Sequence, residues 1–198
     1  MPKPLQLNNH KDLEVYQFTA AVDFYHWLQK STERTESAWL RFAKKGSQEQ
    51  TVSYEEAREQ AIIWGWIDGL INRWDEDFYL IKFSPRRPRS KWSKINRGIA
   101  EQLIKEKRMM PPGLAQVQAA KKDGRWEAAY DSPSTMEVPE DLQALLSAHP
   151  QAKKNFEELT SSQRYSILYR LHDAKRVDTR QKRLVAYMEM LKDGRKPS

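Results

Sequence analysis

Trp66-Ile-Asp-Gly-Leu-Ile-Asn-Arg-Trp74, Asp75-Glu-Asp77 and Phe78-Tyr-Leu-Ile-Lys-Phe83 follow one another directly. Two runs rich in aromatic and β-branched residues flank three acids. A short polar break between two such runs predicts a β-hairpin. Upstream, Ala38-Trp-Leu-Arg-Phe-Ala-Lys44 is short, aromatic and followed by Gly46, which predicts a third strand. The three together make a small antiparallel sheet. Helices over residues 20–30 and 54–64 can cover one face of it. Thr19 can cap the first, with Val22, Tyr25 and Leu28 on one side. Ser53-Tyr-Glu-Glu56 has the spacing of a capping box and opens the second, which Gly65 stops.

Beyond the hairpin the chain turns helical. Ser93 or Asn96 caps a helix to about Lys107, Pro111-Pro-Gly interrupts, and Leu114, Val117 and Ala120 mark another helix ending near Gly124. Arg125–Tyr130 is a short amphipathic turn. Asp131-Ser-Pro-Ser-Thr-Met-Glu-Val-Pro139 is polar, holds two prolines and predicts a linker. Pro139 and Pro150 stand where a first-turn proline belongs. Asp178-Thr-Arg-Gln181 has capping-box spacing and opens a last helix through Leu184, Met188 and Leu191, ended by Gly194. The expected fold class is α+β. A domain with a Trp-rich core and a basic arm spans residues 1–132, and a helical C-terminal module spans 133–198.

Composition limits the chemistry. The chain has 198 residues, seven Trp and no Cys. Without Cys there is no disulfide framework, thiolate zinc site or cysteine nucleophile. No phosphate-binding Gly-rich loop, zincin motif or nucleophile elbow occurs, and the four His are scattered without ligand spacing. No cofactor or metal is expected. No apolar run reaches signal-peptide or membrane-spanning length, so a soluble cytoplasmic protein is expected.

The net charge of +7 is concentrated: residues 84–130 hold twelve Lys or Arg against four acids, and residues 164–198 ten against four. Phe83-Ser-Pro-Arg-Arg-Pro-Arg-Ser-Lys-Trp-Ser-Lys-Ile-Asn96 is the core of the first block. Pro85 and Pro88 stiffen it and keep it out of a helix. Arg86, Arg87, Arg89, Lys91 and Lys94 form a basic arm suited to phosphate or carboxylate, to which Ser90, Ser93 and the following helix start add donors. The second block supplies Arg176, Arg180 and Arg183, and the competing role there is pairing of Arg180 and Lys182 with nearby acids such as Asp178. Trp66, Trp92 and Trp126 can wall the site, although Trp92 also suits a core. Asp68, Asn96, Arg125 and Tyr130 can orient it.

The leading expectation is a non-enzymatic protein that binds an anionic partner: a nucleic acid, a phosphate ligand or an acidic protein surface. The alternatives are an enzyme using Asp68 on a small anionic substrate, and an interaction module docking another protein through the C-terminal helices.

These segments resemble the YdeI/OmpD-associated family of bacterial proteins. The resemblance is carried by Ser53–Ala57, Gly65–Gly69, Phe83–Asn96, Gly124–Asp131, Val138–Leu142 and Ala174–Arg180. It implies that the segment from about Pro139 onward is the family's helical module. It also implies a bacteriocin-protection or stress role and association with an outer-membrane porin. It brings no catalytic activity or cofactor.

Overall fold

The computed structural model describes residues 4–197. It is α+β, and the chain divides into two compact units. One comprises the chain up to Trp92 with Asn96–Ala129, and the other Ser93–Ile95 with Tyr130 onward.

The first unit is built on a five-stranded sheet ordered β1-β2-β3-β5-β4: β1 is Leu5–His10, β2 Leu13–Gln17, β3 Ala38–Ala43, β4 Trp66–Arg73 and β5 Phe78–Pro85. The hairpin expected from the sequence is β4–β5. Its turn is fixed by Asp75, whose carboxylate accepts the backbone N–H groups of Asp77 and Phe78 at 2.9 and 2.8 Å, an Asx-turn. β3 pairs antiparallel with β5. The expected three-stranded sheet is enlarged by β1 and β2. The β2–β3 pair is parallel, which requires a crossover, and α1 (Ala21–Lys30) supplies it. Ala20, not Thr19, is the N-cap of α1.

α2 (Tyr54–Ile63) opens on the full capping box of Ser53 and Glu56. With α1 it covers one sheet face over an aromatic core of Phe18, Phe24, Leu28, Leu40, Phe42 and Phe83. Trp27 and Trp66 meet edge to face there, 5.6 Å between ring centroids. The opposite face carries a smaller cluster of Val15, Trp39 and Leu80, covered by Leu7, Leu13 and Trp74. α3 (Lys94–Lys105) follows, and α4 (Pro111–Lys122) starts on the proline pair expected to interrupt, with Pro in its first turn.

The second unit is helical: α5 Glu140–Ala148, α6 Pro150–Glu157, α7 Ser161–His172 and α8 Val177–Lys192. Leu142, Phe156, Ile167, Leu171, Leu184 and Leu191 form its core, and α8 packs against the other three helices. The capping box lies at Thr160–Gln163, opening α7. α8 begins instead from Arg176 without a side-chain cap. Among the described residues no helix is long and apolar enough to cross a membrane.

Candidate functional site

The basic arm leaves β5 at Pro85, and its backbone is held at once: the Arg86 N–H donates to the Gly65 carbonyl at 2.9 Å. Arg87–Ser90 then forms a β-turn with Pro88 and Arg89 at its centre. Ser90 N–H donates to the Arg87 carbonyl, and Arg87 N–H donates back to the Ser90 hydroxyl, both at 2.9 Å. Proline at the first central position presets the backbone angle that such a turn needs.

Two guanidiniums clamp this turn. Arg125 donates to the Ser90 carbonyl at 2.7 Å and is itself gripped by Asp123 at 2.8 Å. That bond holds the Asp123 carboxyl below its ordinary range. Arg86 lies 3.6 Å from the Trp92 ring centroid and donates to the Lys91 carbonyl at 3.1 Å. The arm is therefore a braced loop. It shows Arg87 and Arg89 to solvent among other groups, and these two are without an ion pair among the described residues.

The structure separates the arm residues that the sequence grouped together. Arg86 is only 5% exposed, so it braces the loop from inside and is not held out as a fork. Trp66, Trp92 and Trp126 are at most 3% exposed. They are core, with Trp92 edge-on to Trp126 at 4.9 Å, and offer no open wall for stacking. Asn96 is buried in α3. Lys91 is exposed, with its carbonyl held by Arg86. Asp68 does not reach the arm's arginines. It accepts the Tyr54 hydroxyl at 2.7 Å, and burial together with this bond raises the Tyr54 phenol well above its ordinary value.

The remaining sequence candidates fall in the second unit. Ser93 bridges to Tyr130, whose ring stands edge-on to Tyr169 at 5.0 Å. Lys94 pairs with Asp131 at 2.8 Å. Arg180 grips Asp141 through two nitrogens at 2.6 and 2.8 Å and donates to the Leu171 carbonyl at 2.7 Å. This is the internal pairing weighed from the sequence, with Asp141 in place of Asp178. Arg183 donates to the Arg170 carbonyl, and Arg176 is exposed at the start of α8. Lys94 and Arg180 line one cavity of about 520 Å³ with Asp131, Glu137, Glu140 and His172. Its two strongest cations are already neutralised and three acids share the lining, so it does not favour an anion. On α8, Val177 and Val185 are exposed large apolar side chains, singly placed.

Residues 16–116, just over half of the chain, match the model of a family described as a domain of unknown function (DUF8412). The chain belongs to that family. Residues 135–194 match a second model, described as bacteriocin-protection, YdeI or OmpD-associated, and the C-terminal helices are a module of that type. No curated protein and no solved structure matches the chain. The two matches divide the segments that carry the resemblance. Val138–Leu142 and Ala174–Arg180 lie inside the YdeI/OmpD-associated module. Ser53–Ala57, Gly65–Gly69 and the arm lie inside the other match, and Gly124–Asp131 falls between the two.

Asp123 and Asp131 were not evident as site residues in the sequence. Asp123 stands two residues before Arg125 at the end of α4, a spacing that could have signalled its grip. Asp131 reads as a linker residue, and only the fold brings it to Lys94.

Proposed function

We propose that this chain is a non-enzymatic binding protein that holds an anionic partner on the Arg87–Ser90 turn. The observation that carries this is the double clamp: two guanidiniums hold the Ser90 and Lys91 carbonyls at the end of and just after a Pro-centred turn, while Arg87 and Arg89 are exposed and without an ion pair among the described residues. A braced loop loses little entropy on binding, so more of each contact appears as affinity. Planar guanidinium forks suit phosphate and carboxylate oxygens. A protective role in bacteria is part of the proposal and rests on the C-terminal match alone.

The test is fluorescence anisotropy of short labelled RNA, single-stranded DNA and duplex DNA with the full chain across a salt series. Contact with phosphates by Arg87 and Arg89 gives affinity that falls steeply with salt. Replacing both with Ala then flattens the log–log slope by roughly 1.4–1.8, two contacts' worth. Unchanged affinity of that variant at low salt would refute the proposal. Failure of all three nucleic acids, with binding to a polyglutamate probe that the same variant loses, would assign the turn to an acidic protein surface.

A further inference from the structure

A second basic site lies in the C-terminal unit, made by residues that the arm does not involve. Ser166 and Arg170 of α7, Tyr187 and Met190 of α8, and Arg195 and Lys196 just beyond α8 line a cleft of about 210 Å³. Among the described residues no acidic side chain lines it.

The ending of α8 creates this cleft. Asp193 is the C-cap, and Gly194 follows at φ +68°. Gly194 N–H donates to the Leu191 carbonyl at 3.1 Å and Arg195 N–H to the Met190 carbonyl at 2.9 Å. That double bond pattern around a left-handed residue is a Schellman ending, and it reverses the chain. Arg195 and Lys196 are thereby turned back beside α7 and α8, where Arg170 meets them.

The charge there is not cancelled. Arg170 and Lys196 have no ion pair among the described residues. Arg195 pairs with Asp193, but those side chains are 63% and 61% exposed, so solvent screens the pair and an incoming anion can share the guanidinium. Ser166 and Tyr187 add hydroxyl donors, and Met190 an apolar surface. The volume corresponds to about seven waters at liquid density. That suits one phosphate group and a short organic stem.

We infer that this cleft binds a phosphate dianion, free or as a small monoester, through Arg170, Arg195 and Lys196. The arm takes no part in it, so this site stands or falls separately from the proposed function. The experiment titrates the full chain, labelled with ¹⁵N, with inorganic phosphate, with glycerol 3-phosphate, and with glycerol, at constant ionic strength. Saturable amide shifts centred on Ser166, Arg170, Arg195 and Lys196 are expected with both phosphates and not with glycerol. Stronger binding of glycerol 3-phosphate than of inorganic phosphate identifies the monoester as the ligand, and equal binding the free anion. Arg170→Ala with Lys196→Ala, both at exposed positions, should weaken binding about tenfold or more by removing charge-assisted bonds. The double Lys153→Ala, Lys154→Ala variant, which removes two exposed cations of α6 outside the cleft, should bind phosphate at these amides unchanged. Absence of saturable shifts at these amides, or equal affinity in the Arg170/Lys196 variant, would overturn the site.

Discussion

Gly113→Ala and Gly98→Ala are the same chemical change, yet this fold gives them opposite signs. Gly113 lies in the first turn of α4, buried where that helix crosses the end of α2. A Cβ there would stand 2.3 Å from the Ile63 carbonyl oxygen, 2.8 Å from the Ile62 carbonyl oxygen and 2.8 Å from Met109 Cε, where ordinary contact begins at 3.4 Å. Met109 is flexible and can yield. The carbonyls cannot move freely, because Ile62 O accepts from Gly65 N–H and Ile63 O from Met110 N–H at 3.1 and 3.2 Å. The methyl must push α4 away and loosen the Met110 bond. Overpacking costs about 1–3 kcal/mol and a weakened hydrogen bond about 1. The helix preference of Ala over Gly returns up to about 1 kcal/mol. The net expectation is destabilisation by about 1–3 kcal/mol. Gly98 is exposed in α3, with nothing within 4 Å of its Cβ position, so Ala there should stabilise by about 0.5–1 kcal/mol. Both glycines share their unit with all seven tryptophans, so urea unfolding followed by Trp emission reports on that unit. A Gly113→Ala midpoint at or above wild type, with Gly98→Ala no better, would refute this account of the α2–α4 contact.

Three further outcomes follow from the site. Arg86→Met should lower unfolding free energy by about 1–3 kcal/mol, because it deletes a buried donor and the cation on Trp92, whereas Arg87→Ala should change it by under about 0.5. Urea midpoints separate the two, and equal effects would undo the division of roles between them. Arg125→Met should speed amide exchange at Ser90 and weaken polyanion binding while Arg87 and Arg89 remain. Unaltered exchange would show that the clamp does not hold the turn. The third outcome concerns Asp141, whose carboxyl is held below its ordinary value, first by hydrogen bonds from Arg180. A depressed carboxyl contributes stability above its unfolded value and loses it as pH falls through the folded one, so this contribution fades below about pH 4. Asp141→Asn should flatten that acid limb in far-UV circular dichroism of urea unfolding between about pH 6 and 2.5. An unchanged limb would mean that the pair is energetically idle.

The sequence showed most clearly the elements whose signals are local. The Ser53–Glu56 box, the Asp75 turn between β4 and β5, and the short aromatic β3 all depend on neighbouring residues, and each was legible. The β1–β2 hairpin was not. β1 reads Leu-Gln-Leu-Asn-Asn-His, mostly polar, and its turn uses Lys11 and Asp12 at φ +49° and +63° in place of the Asn-Gly that marks a two-residue hairpin. The basic arm stood out as a run of charge, but its division into Arg86 within and Arg87 and Arg89 without depends on which face meets Trp92. A charge run carries no such information. The cleft of Arg170, Arg195 and Lys196 was invisible for a related reason: its members lie on two helices and a reversed chain end, and no spacing rule links them.

The C-terminal unit is discontinuous, and this bears on how it can be excised. The family model recognises residues 135–194, yet the folded unit also recruits Ser93–Ile95 from far earlier in the chain. A fragment beginning at residue 130 would keep the four helices but lose the strand bridge from Ser93 to Tyr130 and the Lys94 partner of Asp131. Grafting the recognised stretch onto another protein would therefore transplant an incomplete body. A circular permutant that joins residues 93–95 to 130–197 through a new linker would carry the whole of it.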